Sequence, residues 1–108
     1  ASEPDRSPFL ASAHAVVNEH LGDPQFGARD WADLLHMDRT TLYRKLKSET
    51  DLSPEAYLRE QRLQQAADLL KSRSGNVSQV AMAVGFNSVS YFSKRFKERF
   101  GKTPAAFS

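Results

Sequence analysis

The two halves of the sequence share one residue pattern. Residues 40–57, TTLYRKLKSETDLSPEAY, correspond to residues 90–107, SYFSKRFKERFGKTPAAF, at a constant spacing of 50. The preceding segments WADLLHM and VAMAVGF correspond at a spacing of 49, so the second copy has one additional residue in its turn. Corresponding positions include Leu42 and Phe92, Leu46 and Phe96, Lys47 and Lys97, Pro54 and Pro104, and Tyr57 and Phe107. Each copy combines a short helix, a turn and a second helix with a basic face, and a long helix separates the copies.

Local signals predict helices throughout the chain. Strand-type alternation is absent, strong helix formers dominate, and capping residues precede the helical segments. The expected helix starts are Ser7-Pro8, Gly27, Asp38, Ser53-Pro54, Asn76 with Gln79 as a capping box, Ser88 and Thr103-Pro104. The predicted helices span about residues 8–21, 28–36, 39–49, 54–72, 77–84, 89–100 and 104–107.

The predicted fold class is all-α, with about seven helices that form two helix-turn-helix subdomains joined by a long central helix. The predicted division is a flexible N-terminal segment at residues 1–7, a first helix-turn-helix subdomain at 8–52, a linking helix at 53–73 and a second subdomain at 74–108. The expected core includes Trp31, Tyr57 and a stripe of the linking helix at Leu63, Ala66, Ala67 and Leu70. For Arg62, a salt bridge between the subdomains and an exposed surface role both remain open.

Helical geometry separates the packing residues from the outward ones. At about 100° per residue, Phe92, Phe96 and Phe100 fall within an arc of about 80°. The outward residues of that helix are Ser90, Ser93, Lys94 and Lys97. In the first copy, Leu42 and Leu46 point inward, and the outward residues are Thr40, Tyr43, Arg44 and Lys47. A short polar residue followed by cations therefore recurs on both outward faces, which a merely solvated face does not require.

Charge is distributed unevenly along the chain, although the net charge is only +2. Residues 1–37 hold two basic and six acidic residues, a net charge of −4, whereas residues 38–108 hold 13 basic and seven acidic residues, a net charge of +6. Such an asymmetry favours a polyanionic partner, with a solvated basic face as the alternative explanation.

Composition excludes several classes of function. The absence of cysteine excludes disulfides, thiolate-ligated zinc and iron–sulfur clusters, and no apolar segment approaches the roughly 20 residues that cross a bilayer. His14, His20 and His36 lack the spacing of metal ligands, and no phosphate-binding glycine loop or HExxH motif occurs. We therefore expect a cytoplasmic protein without catalytic residues, cofactor, metal site or membrane contact.

The repeated outward faces suit a helix that enters the major groove of DNA. The groove is wide enough for an α-helix and is lined by phosphates and base-edge acceptors. Short residues near the helix start, such as Thr40 and Ser90, allow close approach to base edges. Long cations further along, such as Arg44 and Lys94, can reach guanine N7 and O6 or phosphate oxygens.

The segment VSQVAMAVGFNSVSYFSKRFKERFGKTPAAF, residues 77–107, resembles the signature of the AraC/XylS family of bacterial transcription regulators. The resemblance extends over residues 9–107, and the segment LYRKLKSETDLSPEAYLREQRL is similar to members fused to two-component receivers or hybrid sensor kinases. It implies two recognition helices in successive major grooves. Two residues depart from the pattern, since His36 stands where the first turn often has glycine and Val89 offers only apolar contact.

The resemblance also implies a role for individual residues. In the first copy, Thr40, Tyr43 and Arg44 would contact bases or flanking phosphates. In the second copy, Val89, Ser90, Ser93 and Lys94 would do so. Lys47 and Lys97 would hold phosphate, and Arg39, at the start of its helix, would contact the DNA backbone.

The sequence therefore predicts the output domain of a bacterial transcription regulator that binds double-stranded DNA sequence-specifically, and we interpret it as an activator. Expected partners are DNA, RNA polymerase, and a sensor, receiver or ligand-binding domain on a longer parent chain. Acidic residues at Asp23, Asp30 and Asp33 are candidates for facing that domain or the polymerase. Two alternatives remain: an enzyme without recognisable motifs, and a helical interaction module whose basic helices bind an acidic protein.

Overall fold

The computed structural model describes residues 7–107, and this part of the chain contains seven helices and no strand. The helices are α1 (Pro8–His20), α2 (Ala28–Leu34), α3 (Arg39–Thr50), α4 (Pro54–Lys71), α5 (Val77–Ala83), α6 (Val89–Phe100) and α7 (Pro104–Phe107). The predicted all-α fold is confirmed. The predicted flexible segment, residues 1–7, lies outside the described residues except for Ser7.

Side-chain caps hold the helix starts where the sequence predicts them. Ser7, Ser53 and Thr103 each accept a hydrogen bond from the backbone N–H three residues further on, at 3.0, 3.2 and 3.2 Å. The remaining side-chain caps are Asp38 with the Thr41 N–H at 2.7 Å, Ser88 with the Tyr91 N–H at 3.2 Å, and Asn76 with the Gln79 N–H at 2.8 Å. Because a cap satisfies a backbone donor that the helix itself leaves unpaired, these residues determine where their six helices begin, whereas α2 follows Gly27, which has no capping side chain.

The chain divides into two compact units within α4. The first unit comprises residues up to His20 and Phe26–Leu58, and the second comprises Leu21–Gln25 and the residues from Arg59 onward. α1, α2 and α3 therefore belong to the first unit, and α5, α6 and α7 belong to the second.

A mixed aromatic and aliphatic core fills the first unit. Trp31, Leu42 and Leu46 are fully buried, and the Trp31 indole N–H donates to the Ala13 carbonyl at 3.0 Å. The rings of Trp31 and Tyr57 lie 5.4 Å apart. Both aromatic residues occupy the core, as the sequence predicts, and the indole hydrogen bond removes the cost of burying its N–H group.

Phenylalanine rings fill the second unit. Phe92 and Phe96 are fully buried, and their ring centroids are 5.6 Å apart. Phe96 also contacts Phe100 and Phe107, at 4.6 and 5.1 Å, so α7 closes the same cluster. The stripe predicted on α4 packs into this core, and its buried members are Leu63, Ala66, Ala67 and Leu70.

Arg62 binds the backbone of a loop in its own unit. Its Nε donates to the Leu21 carbonyl at 3.2 Å and its Nη2 donates to the Asp23 carbonyl at 3.0 Å. Burial lowers the pKa of the Arg62 guanidinium, and the charge of Asp23 acts in the opposite direction. These two hydrogen bonds join α4 to residues 21–25, a role that neither sequence-based alternative described.

Candidate nucleic-acid interface

The turn between α2 and α3 follows a defined hydrogen-bonding path. The N–H of Leu35 donates to the Trp31 carbonyl at 3.1 Å and ends α2. The N–H of His36 then donates to the Asp33 carbonyl at 3.1 Å, and the N–H of Met37 donates to the Ala32 carbonyl at 3.0 Å. These bonds satisfy the last N–H and C=O groups of the turn and direct the chain into α3.

The turn between α5 and α6 repeats this path at the spacing of 49. The N–H groups of Val84, Gly85 and Phe86 donate to the carbonyls of Val80, Met82 and Ala81, at 3.1, 3.2 and 2.9 Å. The additional residue of the second copy is Asn87, which stands between this turn and the Ser88 cap of α6. Both units are therefore helix-turn-helix structures built on the same backbone hydrogen bonds.

One turn position requires left-handed backbone in both units. His36 has a φ of 59° and Gly85 a φ of 95°. A Cβ atom on Gly85 would lie 2.4 Å from the Leu21 carbonyl oxygen and 2.7 Å from Arg62 Nε, so this position has no room for a side chain. His36 is exposed and has that room, which explains why the first turn tolerates a residue other than glycine.

The outward face of α3 is polar, cationic and exposed. Leu42 and Leu46 anchor the opposite face in the core. The exposed residues of this face are Arg39, Thr40, Tyr43, Arg44 and Lys47. Tyr43 is 47% exposed although its ring is large and mostly apolar. Among residues 7–107 the guanidinium groups of Arg39 and Arg44 form no hydrogen bond or ion pair, so both are available to an anionic ligand.

A shallow concavity lies beside the start of α3, within the first unit. Its volume is about 380 Å³, and its lining residues are Ala28, Arg39, Thr40, Tyr43, Pro54 and Glu55. Three predicted DNA-contacting residues thus share one recess with the starts of α2 and α4. Its lining combines apolar, hydroxyl and charged side chains, among them the guanidinium of Arg39, a group that contacts phosphate oxygens in protein–DNA complexes.

The outward face of α6 has the same order as that of α3, a short polar residue followed by cations, but its two cations are both lysines. Val89, Ser90, Lys94 and Lys97 are exposed, and Ser93 is half-buried. The ammonium groups of Lys94 and Lys97 make no hydrogen bond or ion pair within the part of the chain that the structure describes. Nine of the ten predicted contact residues are therefore exposed, and their contact with DNA stays a prediction.

Both arginines of α6 form ion pairs with glutamates of the same protein. Arg95 forms an ion pair with Glu98 at 3.3 Å, and its guanidinium carbon lies 5.4 Å from the centroid of the exposed Tyr91 ring. Arg99 forms an ion pair with Glu60 of α4 at 2.8 Å. The helix-wheel pattern shows these residues only as members of a basic helix and does not identify their partners.

The described part of the chain contains neither a membrane-spanning helix nor a metal-ligand cluster. None of the helices within 7–107 is both long and apolar enough to span a membrane. That same part of the chain contains no group of three or more metal-ligating side chains that could hold an ion.

The comparisons with known proteins agree with this geometry. Residues 31–108 match the family described as a helix-turn-helix domain. The chain is 37% identical over 99 residues to histidine kinase P4 of Formosa agariphila, a match that covers 92% of this chain and 7% of that protein. It is 36% identical over 93 residues to the transcriptional activator RhaS of Escherichia coli, covering 83% of this chain and 32% of RhaS. The chain thus spans only a small part of these relatives.

Solved structures show the same fold. The C-terminal domain of the two-component response regulator yesN from Fusobacterium nucleatum superposes with a TM-score of 0.86 at 25% identity, covering 94% of this chain and 98% of that one. The DNA-binding domain of AdpA, solved in complex with a target DNA, superposes with a TM-score of 0.84 at 35% identity, covering 94% of this chain and 90% of that one.

The fold and the site together place this chain among helix-turn-helix proteins. Each unit has a helix, a turn and a second helix whose outward face is polar and exposed. The chain belongs to the AraC-type family of helix-turn-helix DNA-binding domains, which are found in transcription regulators. The resemblance seen in the sequence is confirmed. The kinase in the name of the Formosa agariphila relative describes a protein of which the matched segment is 7%, and RhaS is named a transcriptional activator.

Proposed function

We propose that this chain recognises a specific double-stranded DNA sequence, with α3 and α6 in successive major grooves about one helical turn, roughly 34 Å, apart. The observation that supports this is the repeated recognition face. α3 and α6 each bury one side and expose a short polar residue followed by cations at corresponding positions, 50 residues apart. Because a groove-binding helix needs an anchored face and a reading face together, the recurrence favours two reading helices.

The two reading faces suit different base edges. On α3, Thr40, Tyr43 and Arg44 are the proposed reading residues, and the fork of Arg44 matches the paired acceptors of guanine. On α6, Lys94 offers a single point charge and Val89 an apolar surface for a thymine methyl group. Ser90 and Ser93 complete that face, and Lys47, Lys97 and Arg39 are proposed to hold phosphates.

The regulatory setting is also a proposal. RhaS is named an activator, and both named relatives are much longer than the segment they share with this chain. We infer that the domain is the output part of an activator whose sensing, receiver or ligand-binding segment lies elsewhere on a longer protein. The similarity to the C-terminal domain of a two-component response regulator supports a receiver as that segment.

RNA polymerase is the proposed protein partner of the first unit. α2 exposes Asp30 and Asp33 together with Leu34, which is 47% exposed. Acidic residues around an exposed leucine suit a basic, partly apolar protein surface. Replacing Asp33 by asparagine should reduce transcription activation without reducing DNA binding, and full activation by this variant would contradict the assignment.

Selection of bound duplexes from a random pool tests the proposed function. We expect two separated blocks of conserved bases, one for each reading helix, spaced by about one helical turn. Binding should also weaken steeply with added salt, since lysine and arginine contacts to phosphates release counterions. Binding without enriched bases would contradict sequence-specific recognition. No binding even at low salt would instead favour the interaction module that binds an acidic protein.

A further inference from the structure

The last turn of α6 is joined to α4 by a charged network that the proposed DNA contacts do not use. Arg99 Nε donates to both carboxylate oxygens of Glu60, at 2.9 and 3.0 Å, and Arg99 Nη2 lies 2.8 Å from Oε2. Gln64 Nε2 also donates to Glu60 Oε2, at 2.7 Å. The carboxylate thus accepts from two side chains in a geometry that fixes the guanidinium plane.

Arg99 points away from the proposed reading face. At about 100° per residue it lies about 140° from Lys94 and about 160° from Lys97 around the axis of α6. Glu60 is the less exposed partner, with 22% of its side chain accessible against 45% for Arg99. The ion pair is therefore placed behind the recognition helix, between α6 and the helix that supports it in the same unit.

The first unit has a counterpart at the corresponding position. Fifty residues before Arg99 stands Glu49, in the last turn of α3. Its carboxylate accepts a hydrogen bond from the Ser7 hydroxyl, and Ser7 is also the cap of α1. Both units therefore bond the same position of the recognition helix to a neighbouring helix, although the side chains differ in charge.

We propose that Glu60 and Arg99 are positioning residues for DNA recognition by α6: their ion pair holds the helix in the orientation in which its outward face meets the groove. The inference rests on the proposed function. A recognition helix that is already fixed loses less conformational freedom on binding, so the ion pair contributes to affinity without touching DNA. The hydrogen bond from Arg99 lowers the pKa of Glu60 below its ordinary value, because the bond favours the charged carboxylate.

A direct phosphate contact by Arg99 is the competing explanation, and it predicts the opposite effect for one variant. If Arg99 bound phosphate, Glu60→Gln would release the guanidinium, tighten binding and steepen the salt dependence. If Arg99 positions α6, Glu60→Gln loosens the helix and weakens binding, and the salt dependence stays the same. Glu98→Gln is the matched control, since it removes one negative charge from an ion pair that lies within α6.

The experiment measures the Kd of the purified chain for the selected duplex, and for the same duplex with the α6 block scrambled. We expect Glu60→Gln and Arg99→Gln each to weaken binding about 3- to 10-fold on the intact duplex, and not on the scrambled one. Exchanging the charges, as Glu60→Arg with Arg99→Glu, should recover most of the loss at unchanged net charge. Circular dichroism melting confirms that each variant is folded at the temperature used.

A measurement without DNA tests the positioning directly. The Gly101 N–H donates to the Lys97 carbonyl at 2.8 Å and reports on the last turn of α6. Its hydrogen exchange should accelerate in Glu60→Gln and remain unchanged in Glu98→Gln. If Glu60→Gln and Glu98→Gln show equal exchange or equal Kd values, the positioning role is contradicted. The proposed function of the chain is not affected by that result. A wild-type chain that binds no duplex contradicts the proposed function and this inference together.

Discussion

The two units follow the same backbone path with different cores. In the first unit, Leu42 and Leu46 anchor the recognition helix, and the adjoining ring is Tyr57. In the second, phenylalanine occupies all three corresponding positions. The turn hydrogen bonds and the hydroxyl and carboxylate caps are nevertheless equivalent. Caps and turn geometry therefore define the helix-turn-helix path, whereas side chains of different shape can fill the space behind it.

The largest expected effects come from truncating a corresponding buried side chain in each core. Phe96→Ala should lower the free energy of unfolding by about 3 to 5 kcal/mol, because Phe96 is fully buried and its ring contacts three others. Leu46→Ala, its first-unit counterpart, should cost about 2 to 5 kcal/mol. Denaturation followed by circular dichroism measures both. An unchanged transition for Phe96→Ala would show that the phenylalanine cluster does not stabilise the second unit.

The turn residues come next. Gly85→Ala should destabilise the chain by about 2 to 3 kcal/mol, because it places a side chain on left-handed backbone. The new Cβ atom would lie 2.4 Å from the Leu21 carbonyl oxygen. His36→Gly should instead stay within about 1 kcal/mol of the wild type, since relief of backbone strain offsets the greater entropy of glycine in the unfolded chain. Equal losses in the two variants would contradict the difference in space at the two turns.

The elements of this fold were predictable because their signals are local. A proline after a hydroxyl residue, or a carboxylate before a helical segment, acts within four residues, so the starts of α1 and α4 are read directly from the sequence. The helix ends were less exact: α2 was predicted to reach residue 36 but ends at Leu34. α2 ends early because the backbone of His36 is left-handed, and a histidine in the sequence does not predict that conformation.

The side-chain network behind α6 was not predictable, since its partners are distant in sequence. Glu60 and Arg99 are 39 residues apart, and Arg62 bonds carbonyls 39 and 41 residues away. A charged residue on a partly exposed helix face has the same local pattern with or without a partner. The outward faces themselves were predictable from helical periodicity, except that Ser93 is half-buried, because periodicity gives a direction and not the position of neighbouring helices.

The reading faces can be compared by removing one cation from each. Arg44→Ala and Lys94→Ala should each cost about 1 to 3 kcal/mol of binding free energy on the selected duplex, with relaxed preference at a single base pair if the contact is to a base. Each should affect a different block of the duplex. A uniform loss across sequences would assign the residue to phosphate.

Two neighbouring cations serve as matched controls for this pair. Lys45 lies 5.4 Å from the centroid of the Phe9 ring, and Arg95 is paired with Glu98. Lys45→Ala and Arg95→Ala remove the same charge from the same helices but away from the proposed base contacts. They should weaken binding less and leave base preference unchanged, and a change of preference in either would require a new assignment of the reading face.

The smallest effect separates the caps of the two recognition helices. Asp38 caps α3 and Ser88 caps α6, so only the first cap can titrate. The hydrogen bond from the Thr41 N–H lowers the pKa of the Asp38 carboxyl below its ordinary value. The contribution of this cap to stability is therefore complete above the unfolded-state pKa of about 3.9 and is lost as the pH falls through the lower folded-state value.

Amide NMR shifts followed through an acid titration measure this difference residue by residue. The Thr41 amide should shift in step with protonation of Asp38, because its N–H donates to the carboxylate at 2.7 Å. Asp38→Asn keeps a capping acceptor without a titrating group, so it should abolish the Thr41 shift and leave α3 helical. The Tyr91 amide, bonded to the Ser88 hydroxyl, should stay constant over the same range. Parallel shifts at both amides would mean that acid acts on the whole chain and not on the α3 cap.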